Sequence, residues 1–228
     1  MDLDEIITDL SIGELQQHGW FMGTLDVNNK RKLIACINIG LTELYTRFPL
    51  LTRELTLIQV EGRTLYPIKV ENTLVQGELP SYNKYIDYVL DYPFTGDLIR
   101  VLSVYDEEGN EIRLNDWTAC PVVATPAMDV LEVPQPVVGD ALFVIYQAKH
   151  PKIDESNTTL YLPLHLKPLL LAYVAYRVYS GGTTQEHIML ANTMLQKFEL
   201  LCTQQINLGT ENSNDYDRNI KPCMGGWV

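Results

Sequence analysis

Basic residues are scarce: 17 Lys and Arg stand against 29 Asp and Glu in 228 residues, a formal net charge of -12. A chain that coats itself in nucleic-acid phosphates needs clustered cations, and the densest run here, Lys30-Arg31-Lys32, fans out around a helix as a solvated face. The deficit still allows a channel past which DNA slides without adhering. Cysteine is sparse as well. Cys36, Cys120, Cys202 and Cys223 lie far apart with no Cys-x-x-Cys pair, which excludes a disulfide scaffold and argues for reduced thiols in a structural role. His18, His150, His165 and His187 share no His-x-x-x-His spacing, so no zinc site is expected. There is no Gly-x-Ser-x-Gly elbow, and Gly181-Gly182 is followed by no Lys-Ser or Lys-Thr and is therefore no P-loop. Long apolar runs are also missing. The densest, Leu169 to Val178, is too short to span a bilayer. The acidic opening Met1-Asp2-Leu3-Asp4-Glu5 differs from a basic secretory leader. The expectation is a protein made in a cytoplasm, without membrane, metal, cofactor or catalytic residue.

What is present is a globular balance, 46% hydrophobic and 20% charged. From Asp26 to Phe48, the residues Ile34, Ile37, Leu41, Leu44, Tyr45 and Phe48 recur at helical steps, with Asp26 as N-cap and Pro49 as the stop. A short helix is expected over Ile12 to His18, ended by Gly19. Arg53 to Val70 reads as a β-hairpin turning at Glu61-Gly62-Arg63. A second hairpin joins Ile99–Tyr105 to Glu111–Leu114 through the acidic loop Asp106 to Asn110, which lacks EF-hand spacing and reads as a solvated turn. Further strands are expected at Met128–Val133 and Asp140–Gln147. Between the hairpins, Tyr82, Tyr85, Tyr88, Val89 and Tyr92 fall at helical steps. They are either a segment packing tyrosines on the sheet or an inter-subunit stripe, since tyrosine joins a large ring to a polar tip.

Two helices follow. The first runs from Pro163 to Tyr179, either kinked at Pro168 or regular only from there. Ser180-Gly181-Gly182 ends it, and Thr183 with Glu186 offers a capping box for the second, whose face carries Ile188, Ala191, Leu195, Phe198, Cys202 and Ile206. So short a link requires an antiparallel pair. After Gly209 the chain becomes polar and aperiodic, the composition of a tail that orders by docking on a partner. Ile220, Met224 and Trp227 are its candidate anchors. The fold class is α+β: an antiparallel helical bundle from residues 1–52 and 160–208, an inserted β-hairpin and β-sheet region over 53–159, and an extended tail at 209–228.

The order of these features resembles the head-to-tail adaptor (connector) proteins of tailed bacteriophages, of the tail tubular protein A type. The likeness rests on Ile37 to Leu50, the hairpin around Glu61-Gly62, Val101 to Asp106, Ala141 to Pro151, Leu162-Pro163, Leu170 to Val178 and the closing amphipathic helix. It covers most of residues 28–206 and includes no catalytic signature. The resemblance implies a non-enzymatic virion protein at the head–tail junction: a ring, dodecameric in the family, joining the portal protein to a distal tail or nozzle protein. The tail would reach the portal through Ile220, Met224 and Trp227, and Tyr82, Tyr85 and Tyr88 would meet neighbouring copies. DNA would traverse the lumen during ejection without sequence-specific binding, past acidic walls that repel phosphate. The alternatives are a virion-associated cell-wall glycan hydrolase using a Glu/Asp pair, or a small cytoplasmic oligomeric binding module.

Overall fold

The computed structural model describes residues 1–21, 25–75, 77–88, 92–119 and 121–208. Ile220, Met224 and Trp227 lie outside them. The chain is α+β, with helices and antiparallel sheets in two compact units. Of the described residues, one comprises Asp2–Gly40 and those from Leu162 to Leu208; the other comprises Met1 and Leu41–Tyr161. Among the described residues no helix is long and apolar enough to cross a membrane.

In the helical unit, α1 (Leu3–Ile12) buries Leu3, Ile6 and Leu10 and carries Asp4 and Glu5 in its first turn, where the helix dipole favours acids. This helix replaces the one expected over Ile12 to His18. Gly13 ends it, its N–H returning to the Asp9 carbonyl at 2.8 Å. The next helix, α2 (Val27–Arg47), begins where expected, with Asp26 Oδ2 accepting the Asn28 N–H at 3.3 Å. The division between units falls within α2, after Gly40. A Cβ at Gly40 would sit 2.9 Å from Leu170 Cδ1, so glycine lets α2 approach α3 (Lys167–Ser180) closely. That helix starts at Lys167 with Pro168 in its first turn, so it is regular from the proline on rather than kinked there, after a 3-10 turn over Leu164–Leu166. Thr184 rather than Thr183 caps α4 (Gln185–Asn207), accepting the His187 N–H at 3.2 Å. Tyr173 meets Phe198 and Tyr179 meets His187; later residues of α3 thus face earlier residues of α4, and the two run antiparallel. Ala191, Phe198 and Cys202 are buried as the spacing requires, whereas Ile188 and Ile206 at the face's ends stay exposed. Lys167 bridges to Glu5 and Asp9 of α1.

In the β unit, a five-stranded sheet runs β3-β1-β8-β4-β5, all neighbours antiparallel. Its strands are β1 (Thr52–Ile58), β3 (Ile86–Tyr88), β4 (Leu98–Tyr105), β5 (Glu111–Ile112) and β8 (Ala141–Ala148). A second sheet, β2-β7-β6, uses β2 (Leu65–Pro67), β6 (Ala124–Ala127) and β7 (Val130–Glu132). The β4–β5 hairpin forms, with Gly109 at φ 81° and Asp106 Oδ1 accepting from the Glu108 and Asn110 amides. The expected hairpin from Arg53 to Val70 does not. Its turn exists, with Gly62 at φ 72°, but β1 and β2 enter different sheets. Seven residues of β1 pair with β8, placing Leu55 opposite Val144 and Leu57 opposite Leu142, and that apolar register outweighs what a three-residue return strand offers. Both sheets share one core, from Leu55, Leu57, Val144 and Tyr146 to Tyr66 and Leu131.

The described residues from Tyr82 to Tyr88 are not helical, and Val89 lies outside the described residues. Ser81 and Lys84 close a tight turn, and Ile86–Tyr88 pairs with β1; Pro80 and Pro93 bracket it, and neither can donate a helical hydrogen bond.

Candidate functional site

A concavity of the β unit forms where β1, β8 and the start of β4 meet. The β1–β8 ladder sets Arg53 opposite Tyr146. Asp97 immediately precedes β4, and its carbonyl accepts the Lys149 N–H at 2.7 Å. These pairings bring Arg53 Nη1 to 2.8 Å from Asp97 Oδ2, in side chains only 20% and 11% exposed. Tyr146 donates its hydroxyl to the other carboxylate oxygen at 3.2 Å. Burial, and then the Asp97 charge, hold that phenol protonated well above its ordinary pKa. Asp97 is therefore spoken for on both oxygens.

Around this ion pair lies a cleft of about 210 Å³ lined by Arg53, Tyr92, Pro93, Thr95, Asp97, Lys149 and Pro151. The Arg53 guanidinium carbon is 5.8 Å from the centroid of the Tyr92 ring, a cation–π distance. Two cations and one carboxylate leave the cleft with one surplus positive charge. Its one carboxylate is engaged with Arg53, so the lining holds no pair of free carboxylates for acid–base work. No family model matches the chain, and no curated protein matches it.

The three tyrosines expected at subunit contacts separate in the structure. Tyr85 is 0% exposed. It donates to the Pro67 carbonyl at 2.7 Å, and burial pushes its phenol up to about 12. Its side chain is consumed inside its own subunit and offers no contact surface, which corrects the expectation for this residue. Tyr82 is 58% exposed and Tyr88 half-buried at the end of β3. Arg63 joins two of them, its guanidinium 4.4 Å from the Tyr85 centroid and 4.9 Å from that of Tyr82. It also donates to the carbonyls of Leu65 and Tyr82.

In the helical unit, His18, Trp20, Tyr179 and His187 form a ring cluster with centroids 5.0 to 5.6 Å from His18. His18 Nδ1 accepts the Trp20 N–H at 3.3 Å. Burial, then the neighbouring His187, lower the His18 pKa. The His187 Nδ1 is buried without a partner, and a Cβ on Gly182 would come within 1.9 Å of it; only glycine leaves room for this ring. His150, in the β unit, accepts the Tyr161 N–H at 2.9 Å, and burial lowers its pKa. Among the described residues no three His, Cys, Asp or Glu side chains are grouped to hold a metal ion.

Sequence reasoning did not single out Arg53, Asp97 or Lys149. The available signal was weak: isolated charges at the ends of otherwise apolar strand patterns, separated by more than forty residues.

Proposed function

We propose that this chain is a structural head-to-tail adaptor of a tailed-phage virion, a ring protein that joins the portal to the tail and encloses the DNA path. In this reading the helical unit is the antiparallel bundle of the adaptor, the β unit its insertion, and residues 209–228 the portal-binding tail. The supporting observation is the discontinuous helical unit. Asp2–Gly40 and the described residues from Leu162 to Leu208 form one unit and the β-strands lie wholly between them, the order of features on which the resemblance rests. Large exposed apolar side chains sit in four separate inter-strand connections, at Leu79, Trp117, Met128 and Val138. Such residues suit a protein whose work is done by contact surfaces.

The test is the particle mass of the purified chain with and without cognate portal rings, followed by low-resolution imaging. The reading expects the portal particle to gain a ring of copies, and the 1–208 truncation to stay folded while losing that gain. Portal particles unchanged in mass would overturn it.

A further inference from the structure

The Arg53–Asp97 cleft has the parts of a binding site that the adaptor reading does not use. Its cations differ in state. Arg53 is fixed: one nitrogen is on Asp97, its plane lies near Tyr92, and it has more N–H donors than Asp97 can satisfy. Lys149 is anchored through its backbone N–H to the Asp97 carbonyl, and its ammonium has no carboxylate partner among the described residues. In a chain with twelve excess negative charges, an unpaired lysine beside a pinned arginine is an unusual local field. The other walls are Tyr92, which is 64% exposed, Pro93, Pro151 and Thr95. They supply an aromatic edge, two rigid apolar surfaces and one hydroxyl.

We infer that this cleft binds a monoanionic carboxylate carried on a flat or apolar stem, with Lys149 and Arg53 taking the oxygens and Tyr92 with the two prolines flanking the stem. Charge selects the monoanion. The surplus in the lining is a single positive charge, and Asp97 stands beside it. A phosphate dianion would be under-neutralised there, and a nucleic-acid backbone would also meet the chain's net charge of -12. Size agrees: about 210 Å³ lies below the roughly 300–1,000 Å³ of pockets for drug-sized ligands, which admits a small acid or one acidic side chain and excludes a nucleotide. The Arg53 fork is pre-ordered by its ion pair, so little side-chain entropy is lost on binding. A free aromatic acid and a glutamate side chain of a docked chain present the same chemistry.

The experiment is an NMR titration of the whole protein at constant ionic strength with three probes: sodium benzoate, N-acetyl-glutamate amide and inorganic phosphate. The amides of Thr95 and Lys149 are the reporters. Both carboxylates are expected to give saturable shifts and phosphate none. The tighter carboxylate identifies the source, benzoate for a free aromatic acid and the glutamate derivative for a docked chain. Lys149→Met, an exposed substitution that leaves the Arg53–Asp97 pair intact, should weaken binding by about tenfold, the loss of a charge-assisted hydrogen bond. Thermal unfolding of the variant checks that the fold is kept. Absent carboxylate shifts, shifts unaltered by Lys149→Met, or phosphate binding as tightly as benzoate would each overturn the assignment. None of these outcomes depends on the chain being an adaptor.

Discussion

Gln147 offers the sharpest test of how the β unit holds the end of α2. Its side chain is 0% exposed. The amide nitrogen donates to the Tyr45 carbonyl and, at 3.3 Å, to that of Phe48, while Oε1 accepts from Arg100 Nε at 2.8 Å. The need for this donor is written in the chain. The Tyr45 carbonyl would accept from the N–H four residues on, but residue 49 is proline and has none. Phe48 O already accepts from Leu50 N at 2.8 Å, so it loses little if Gln147 is replaced. Arg100 is exposed and recovers water. Gln147→Met, which keeps the length and packing of the side chain, therefore leaves one buried carbonyl unsatisfied. That costs about 1–3 kcal/mol, with a central expectation of about 2 kcal/mol. In urea unfolding the midpoint should fall with the slope unchanged, and the melting temperature should drop by about 4–8 °C, taking ~2–4 °C per kcal/mol for a chain of this size. Gln147→Glu should be worse, because a carboxylate cannot donate to Tyr45 O and a buried charge is added. A Gln147→Met variant as stable as the parent would refute the reasoning and show that water or another donor serves that carbonyl.

Two further outcomes follow from charge. The folded-state pKa of His18 lies below its unfolded value of about 6.5, so the unfolded chain binds the proton more readily. The resulting stability is complete above about pH 6.5 and is lost as pH falls through that value towards the depressed folded pKa; denaturation midpoints measured from pH 7.5 to 5 should show this decline, and His18→Asn should make it shallower, the share of the buried His150 remaining. Arg53→Met leaves Asp97 buried and uncompensated, which costs about 3–5 kcal/mol, and adding Asp97→Asn should restore part of that; calorimetric melting of the single and double variants checks both.

Where one period dominated a long stretch, the residues alone located the element. The apolar face of α2, its Asp26 cap and its Pro49 stop all appear in the fold, as do β8 and the β4–β5 hairpin with Gly109 at its turn. The misreadings share a cause. Tyr82, Tyr85 and Tyr88 lie three apart, which suits a helix, but Tyr85 precedes β3 and is buried by contacts with Pro67 and Arg63 from distant chain. The pairing of β1 was equally invisible locally, since its true partner β8 lies more than eighty residues away and proximity along the chain favoured β2. In α1, Leu3, Ile6 and Leu10 carry a helical spacing that the acidic opening obscured, although Asp4 and Glu5 are the residues a first helical turn prefers.

The cleft was illegible for the same reason as the β1–β8 pairing. Neither Arg53 nor Asp97 has meaning until the ladder between these strands exists, because that ladder sets Arg53 against Tyr146, and the Lys149 amide then fixes Asp97. A buried ion pair adds little net stability compared with apolar residues of the same shape. Its effect here is orientation: it holds a guanidinium against Tyr92 and beside Lys149 at the edge of an otherwise acidic chain. If the pair served stability alone, an apolar replacement of both residues would conserve everything the β unit does. If orientation is its role, the Arg53→Met, Asp97→Leu chain, with Tyr146→Phe added so that no buried hydroxyl loses its acceptor, should keep its melting temperature and lose benzoate binding. That separation of stability from binding follows from the geometry of the pair.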